Sequence, residues 1–223
     1  MPQKNSAFKL GTIVIFGSVW GLAEAALGMS LKSCAQLASG SIMTGVALFF
    51  IAATWTRTRD ILGPALLVLV ASLFKLFDAL LLGLPVKNGA VANPIFAFAM
   101  EGLAFLVFIA FVKESSKQKA AGQAFIGASS ALLAVNLFPL VKFATGIPAC
   151  VFPGSTTPLS LYYAPLAVAV SLVTVPLGFW AGARTETLEH KVSAARKAAA
   201  LRILVPSLAT ALCLVIQALI RLA

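Results

Sequence analysis

The chain has few charged residues: Asp, Glu, Lys and Arg together make up 11% of its 223 residues, whereas 60% are hydrophobic. Soluble globular domains carry about 25% charged residues, so this shortage excludes an ordinary soluble domain. The mean hydropathy of +0.98 is typical of an integral membrane protein. Composition therefore indicates the class of protein before any motif is considered.

Residues that commonly carry catalysis or bind metals are also scarce. The single histidine, His190, lies in a charged, alanine-rich segment, and the chain lacks GxSxG, HExxH and glycine-rich phosphate-binding motifs. Its three cysteines show no CxxC spacing, so no metal site is indicated and no cofactor is identified. We therefore expect a protein that is not an enzyme, while carboxylates alone leave an intramembrane enzyme as an open alternative.

Long apolar runs, by contrast, fill most of the chain. A helix needs about 20 apolar residues to cross a bilayer, and seven segments meet this criterion: residues 10–29, 35–55, 61–84, 90–112, 121–145, 160–182 and 202–221. Little chain is left for a soluble domain. We therefore predict an all-α fold, in which residues 1–223 form one multi-pass helical bundle in the cell membrane (the inner membrane where there are two), with lipid around it.

The net charge of +10 is concentrated in alternate loops. Basic residues precede the first span and follow the second, fourth and sixth, while the opposite side holds only Lys32, Lys87 and, near the end of the fifth span, Lys142. By the positive-inside rule the N-terminus is cytoplasmic and the C-terminus is outside. This distribution accounts for the basic excess without nucleic acid as a partner. Residues 183–201, which are charged and rich in alanine, are predicted to extend the sixth span as a basic cytoplasmic helix facing anionic headgroups or a partner protein.

Two cysteines, Cys34 and Cys150, fall in predicted outer loops. An oxidising exterior would permit a disulfide between them. Free thiols are the alternative, because the sequence does not show that the two loops meet.

Four charged residues, Glu24, Lys75, Asp78 and Glu101, lie inside the apolar spans. Each would cost roughly 2.5–3.5 kcal/mol at mid-bilayer on insertion scales. They must therefore face the bundle interior, where partners, water or a ligand can satisfy them. Their depths, with those of other polar residues, place them in the outer half of the membrane. We predict a substrate pocket there, formed by Trp20, Glu24, Lys75, Asp78, Asn93, Glu101, Asn136 and Lys142.

Several of these residues also have a purely structural interpretation. Lys75 and Asp78 are three residues apart on one helix face and could neutralise each other, and Trp20 could be a packed aromatic side chain. Glu24 and Glu101 have no such local partner. If these two carboxylates approach one another, one should hold its proton, which makes them the better candidates for ion or proton coupling.

A stripe of small residues, Gly17, Gly21 and Ala25, follows one face of the first span. Such a stripe lets another helix approach closely, either within the bundle or from a separate membrane subunit. In its size, this stripe and its outer polar pocket, the chain resembles the substrate-binding S component of energy-coupling factor transporters. That family typically has six transmembrane helices. The resemblance implies solute capture near the outer face, docking of a membrane coupling subunit on the stripe, and ATPases as further partners.

Three functions follow as hypotheses. The first is a membrane transport component that captures a small molecule from outside. The second is a self-sufficient secondary carrier in which Glu24 or Glu101 binds a proton or cation. The third is a scaffold subunit of a membrane complex, which would need no ligand.

Overall fold

The structure is a computed structural model that describes the backbone of residues 3–30, 36–151, 154–193 and 198–222, and the side chains of residues 9–28, 39–151, 154–187 and 203–222. Within these ranges the chain forms nine α-helices and one 3₁₀ turn. The helices are α1 (Gln3–Ser30), α2 (Gln36–Thr58), α3 (Leu62–Leu81), α4 (Gly89–Phe111), α5 (Glu114–Lys117), α6 (Ala120–Leu137), α7 (Val141–Thr145), α8 (Leu159–Ser193) and α9 (Ala198–Leu222), and the 3₁₀ turn is Phe138–Leu140.

Seven segments of the described chain are helical, long and apolar enough to cross a membrane. They coincide with the seven predicted spans, so the all-α multi-pass bundle is confirmed. The fifth span, Ala120–Thr145, is the only composite one among them, since it contains α6, the 3₁₀ turn and α7. Pro139 lies in that turn, where its missing N–H interrupts the helical hydrogen bonds.

Six of the spanning helices form a closed ring in the order α1, α2, α8, α6, α4, α3. Helix α2 leans into the ring, because it also packs against α3, α4 and α6. Accordingly, 67% of the residues in the apolar segment of α2 are buried, whereas only 11% of those in the apolar segment of α9 are. Helix α9 lies outside the ring against α1 and α3, and the rest of its surface is left for lipid.

The tight contact between α2 and α8 depends on two glycines four residues apart. A Cβ atom at Gly178 would lie 2.4 Å from the carbonyl oxygen of Phe49, and one at Gly182 would lie 2.4 Å from that of Ala53. Both distances are far shorter than a carbon–oxygen contact permits. The sequence Gly178–Phe179–Trp180–Ala181–Gly182 is thus a small-residue motif for close helix approach, which sequence analysis did not single out.

The apolar span of α8 ends at Thr187, but the helix continues without a break to Ser193. The first part of the predicted basic extension, residues 183–201, is therefore helical. Residues 194–197 lie outside the described residues, and α9 follows from Ala198.

Candidate functional site

The charged residues predicted to share one pocket separate into two groups. Glu24, Lys75 and Asp78 lie between α1, α3 and α9, whereas Glu101 lies between α2, α4, α6 and α8. The two groups are near enough that Glu24 and Glu101 act on one another electrostatically. Glu24, Lys75, Asp78 and Glu101 therefore form two neighbouring sites, where the sequence predicted one pocket.

Asp78 is the centre of the first group. The guanidinium of Arg221, from α9, binds it with two parallel hydrogen bonds, Nε to Oδ1 and Nη2 to Oδ2, the latter at 2.6 Å. Lys75 Nζ lies 3.6 Å from Asp78 Oδ2, so the predicted ion pair within α3 is present. The three side chains are 5%, 8% and 11% exposed for Asp78, Arg221 and Lys75 respectively.

Glu24 completes this group as its second carboxylate. It is buried and interacts electrostatically with Lys75, Asp78 and Arg221. Two carboxylates and two cations give a formal charge of zero, so the group neutralises itself. We call these four residues, Glu24, Lys75, Asp78 and Arg221, the charge cluster.

The charge cluster also holds α9 against the ring. Gln217, one helical turn before Arg221, is fully buried, and its Nε2 donates to the carbonyl oxygen of Phe74 at 3.0 Å. Ser18 of α1 and Thr210 of α9 share a hydrogen bond of 2.9 Å between their hydroxyls. Sequence analysis missed Gln217 and Arg221, although their spacing of four residues on one face of the last span was a usable signal.

Glu101 has a different environment. Its side chain is 5% exposed, the Thr44 hydroxyl of α2 forms a hydrogen bond with it, and none of the described residues donates a hydrogen bond to its Oε2 atom. The groups that act on it electrostatically, Thr44 and Glu24, carry no positive charge. With respect to the described part of the chain, Glu101 is therefore a buried carboxylate with one free oxygen and no cation among the groups that act on it.

A cavity of about 10 Å³ adjoins Glu101. That is about the volume that one water molecule requires. Four helices contribute to its walls, and the residues that line it are Thr44, Ala97, Glu101, Ala134, Val135, Phe138 and Tyr163. We call this cavity, with Glu101, the Glu101 site.

Tyr163, in the first turns of α8, connects the Glu101 site to the loop that joins α7 to α8, which is predicted to face outside. It lines the cavity and interacts electrostatically with both Glu101 and Cys150 of this loop. Its ring packs against Gly40 of α2, where an added Cβ would lie 2.7 Å from Tyr163 Cε1. The cavity is therefore close to this loop.

Trp20 does not line the Glu101 site. It is 1% exposed and packs against Phe98 with ring centroids 4.8 Å apart. Trp20 is therefore a packed aromatic side chain, the alternative to the predicted contact with substrate.

Asn136 and Lys142 were predicted to face the pocket, and this is wrong. Both are exposed on the surface of the bundle, and the Asn136 Nδ2 donates to the carbonyl oxygen of Leu132 in its own helix at 2.7 Å. The reason is helical register: Val135 faces the cavity, and each following residue turns by about 100° around the helix. Asn93 is half-buried, and its Oδ1 has no hydrogen-bond partner among the described residues, but it does not line the cavity.

The small-residue stripe of α1 faces the bundle interior. A Cβ at Gly17 would lie 2.6 Å from Val70 Cβ, and one at Gly21 would lie 2.3 Å from Phe74 Cβ, both on α3. Ala25 is 2% exposed. The stripe therefore serves packing within the bundle, the first of its two alternatives, because α3 covers it.

Two larger depressions in the described surface are apolar. One of about 740 Å³ lies between α6 and α8, and another of about 560 Å³ lies between α1 and α9. Neither contains a residue of the predicted pocket. Cys150 is exposed, while Cys34 is outside the described residues, so their disulfide stays a prediction. Within the described ranges, no three His, Cys, Asp or Glu side chains come together as metal ligands.

Fold and site together define a multi-pass helical membrane protein in which Glu101 is a buried, partly unsatisfied carboxylate. Comparisons with known protein families, with curated proteins and with solved structures give no match. The function must accordingly be argued from the geometry of the site.

Proposed function

We propose that this chain is a solute-binding component of a membrane transport system, and that Glu101 is the group that holds the solute. The observation that carries the proposal is the Oε2 atom of Glu101, which is buried beside a cavity and receives no hydrogen bond from any described residue.

Such an atom calls for an explanation. A buried polar atom without a partner costs roughly 1–3 kcal/mol, and more if it is charged. Buried polar atoms are almost always satisfied in folded proteins, and intramembrane ionisable residues that are not satisfied commonly mark a substrate or ion pathway. A ligand at the Glu101 site would supply the missing interaction.

The charge cluster does not fit this role as well. Its two carboxylates face two cations, and Arg221 binds Asp78 in the bidentate geometry that gives the strongest ion pairs. A solute would have to break these contacts to enter. The charge cluster is therefore assigned a structural role, and Glu101 the binding role.

Access from outside is supported by the position of the cavity. Tyr163 lines it and interacts electrostatically with Cys150 of the loop that is predicted to face outside. In the proposed cycle Tyr163 moves to admit the solute, because the cavity is closed to anything larger than one small group.

Capture by itself does not drive a solute across the membrane. The energy-coupling subunit and ATPases that the sequence resemblance implies would supply this step. Since the stripe on α1 is covered by α3, a coupling subunit would use another surface.

The test is native mass spectrometry of the protein purified in detergent. We expect a small molecule bound to the wild-type chain and to Glu186→Gln, in which an exposed carboxylate at the opposite end of the bundle is removed. We expect it to be lost from Glu101→Gln, a change of nearly identical shape. A wild-type spectrum without bound solute, or equal occupancy in Glu101→Gln, would contradict the proposal.

A self-sufficient carrier is the second candidate, and the electrostatic interaction between Glu101 and Glu24 favours it. Two carboxylates that interact in this way can exchange a proton for a solute. Uptake of the co-purified molecule into liposomes that contain only this protein, driven by a pH gradient and abolished in Glu101→Gln, would establish a carrier. Uptake that requires a second subunit would establish the binding component.

A further inference from the structure

The chemical class of the solute can be inferred from the walls of the Glu101 site. We infer that the solute binds there through a primary ammonium group, an inference that rests on the proposed function. Four features of the site favour such a group: its charge, its hydrogen-bond acceptors, its aromatic lining and its size.

Glu101 is the acidic group of the site, and none of the groups that act on it is positively charged. The second carboxylate nearby, Glu24, belongs to the charge cluster, where Lys75 and Arg221 offset it. A buried carboxylate is stable when a cation pairs with it. An anionic solute would meet Glu101 without a compensating cation, so a cationic group is the solute that this site favours.

The site offers acceptors of the number and kind that an ammonium group needs. Glu101 Oε2 is free, and the Thr44 hydroxyl beside it retains lone pairs. Tyr163, which also lines the cavity, adds its phenol oxygen. An ammonium group presents three N–H donors, which matches these three acceptors.

A hard metal ion fits less well. Calcium takes six to eight oxygen ligands and magnesium six. The lining side chains provide oxygen from Glu101, Thr44 and Tyr163, while the other four are apolar. The rings of Phe138 and Tyr163 favour an organic cation instead, because aromatic rings attract ammonium groups.

The size of the cavity limits the head group. A volume of about 10 Å³ suits one small group, since a single water needs about the same space. An unsubstituted ammonium group fits, whereas a quaternary ammonium, with four carbon substituents, does not. The remainder of the solute would extend toward Tyr163 and the outer loop.

The experiment uses methylammonium chloride as the probe and the whole protein in detergent. Thermal unfolding is followed at rising concentrations, with sodium chloride and tetramethylammonium chloride at equal ionic strength as reference salts. We expect methylammonium to raise the unfolding temperature of wild-type protein and Glu186→Gln in a saturable way, and to have no more effect than sodium chloride on Glu101→Gln. Tetramethylammonium should match sodium chloride throughout.

Thr44→Val is a second variant of nearly unchanged shape, in case Glu101→Gln folds poorly. We expect it to need at least about tenfold and up to about a hundredfold more methylammonium for the half-maximal effect, since loss of one hydrogen bond to a charged group costs about 1.5–3 kcal/mol. Equal effects of methylammonium and sodium on the wild-type protein, or a shift that persists in both variants, would overturn the inference.

The result also separates this inference from the proposed function. If the mass spectrum shows a neutral or anionic solute that is lost in Glu101→Gln, the function stands and the ammonium class fails. If neither a solute nor a Glu101-dependent shift is found, the proposed function fails as well.

Discussion

The contact with Arg221 indicates that Asp78 and Lys75 have a structural role. From the sequence, Lys75 and Asp78 formed either a ligand site or a local ion pair. In the structure Asp78 accepts two hydrogen bonds from Arg221, a residue 143 positions away, and Lys75 stays at 3.6 Å. Removing one member of a buried ion pair leaves its partner charged and unsatisfied, so the charge cluster should respond strongly to single substitutions.

Asp78→Asn should lower the free energy of unfolding by about 3–5 kcal/mol, the usual cost of breaking a buried ion pair from one side. Denaturation in mixed detergent micelles measures this quantity. Lys142→Gln is the matched control, because Lys142 is exposed, and it should change stability little. Combining Asp78→Asn with Arg221→Gln should recover part of the loss, since no unpaired guanidinium then remains at the cluster. Strictly additive effects of the two substitutions would show that the pair is not coupled.

Glu101 and Asn136 differ in the direction in which their side chains point from the helix. Both lie in spans that border the Glu101 site, yet only Glu101 points into it. The apolar sequence around Asn136 gives little indication of which face is inside, because lipid and the bundle interior are both apolar. In a soluble helix the polar face would have identified the solvent side.

At the scale of elements, small residues decide which helices touch. Gly17 and Gly21 bring α1 onto α3, and Gly178 and Gly182 bring α8 onto α2. Sequence analysis found the first pair and left open which helix it meets. It missed the second pair, although the spacing is the same.

Gly182→Ala should destabilise the protein by about 1–3 kcal/mol, the usual cost of overpacking, because the added methyl group would lie 2.4 Å from the Ala53 carbonyl oxygen. Gly28→Ala is the matched control. Its Cβ would meet only Met43 Cε, at 3.6 Å, among the atoms within 4 Å. Since alanine is the better helix former by up to about 1 kcal/mol, Gly28→Ala should be neutral or mildly stabilising. Equal stability of the two variants would contradict the assigned contact between α2 and α8.

At the scale of the whole molecule, the bundle is a ring of six helices with a seventh attached outside it. The ring contains the Glu101 site, and α9 closes no part of that cavity. The charge cluster joins α9 to the ring through α3. This arrangement separates the element that adds a seventh span from the elements that form the proposed binding site.

The predicted orientation places the loop around Cys150 outside the cell. In a Cys34→Ser background, a membrane-impermeant maleimide added to intact cells should label Cys150, which is exposed, and leave Cys213, which is buried within α9. A further Cys150→Ser substitution should abolish the labelling. If labelling requires lysis, the orientation is inverted and the Glu101 site opens toward the cytoplasm.

The sequence by itself determined the class of protein, the seven spans and the residues whose burial needs explanation. These follow from local properties, because twenty apolar residues in a row form a membrane helix whatever surrounds them. Only the tertiary structure decided that Asp78 meets Arg221, that α3 covers the glycine stripe, that Asn136 faces outward and that Glu101 keeps a free oxygen. The lateral packing and rotation of helices depend on contacts between distant segments of the chain. Hydropathy does not indicate which face of a helix points to the bundle interior, because the interior and the lipid are both apolar.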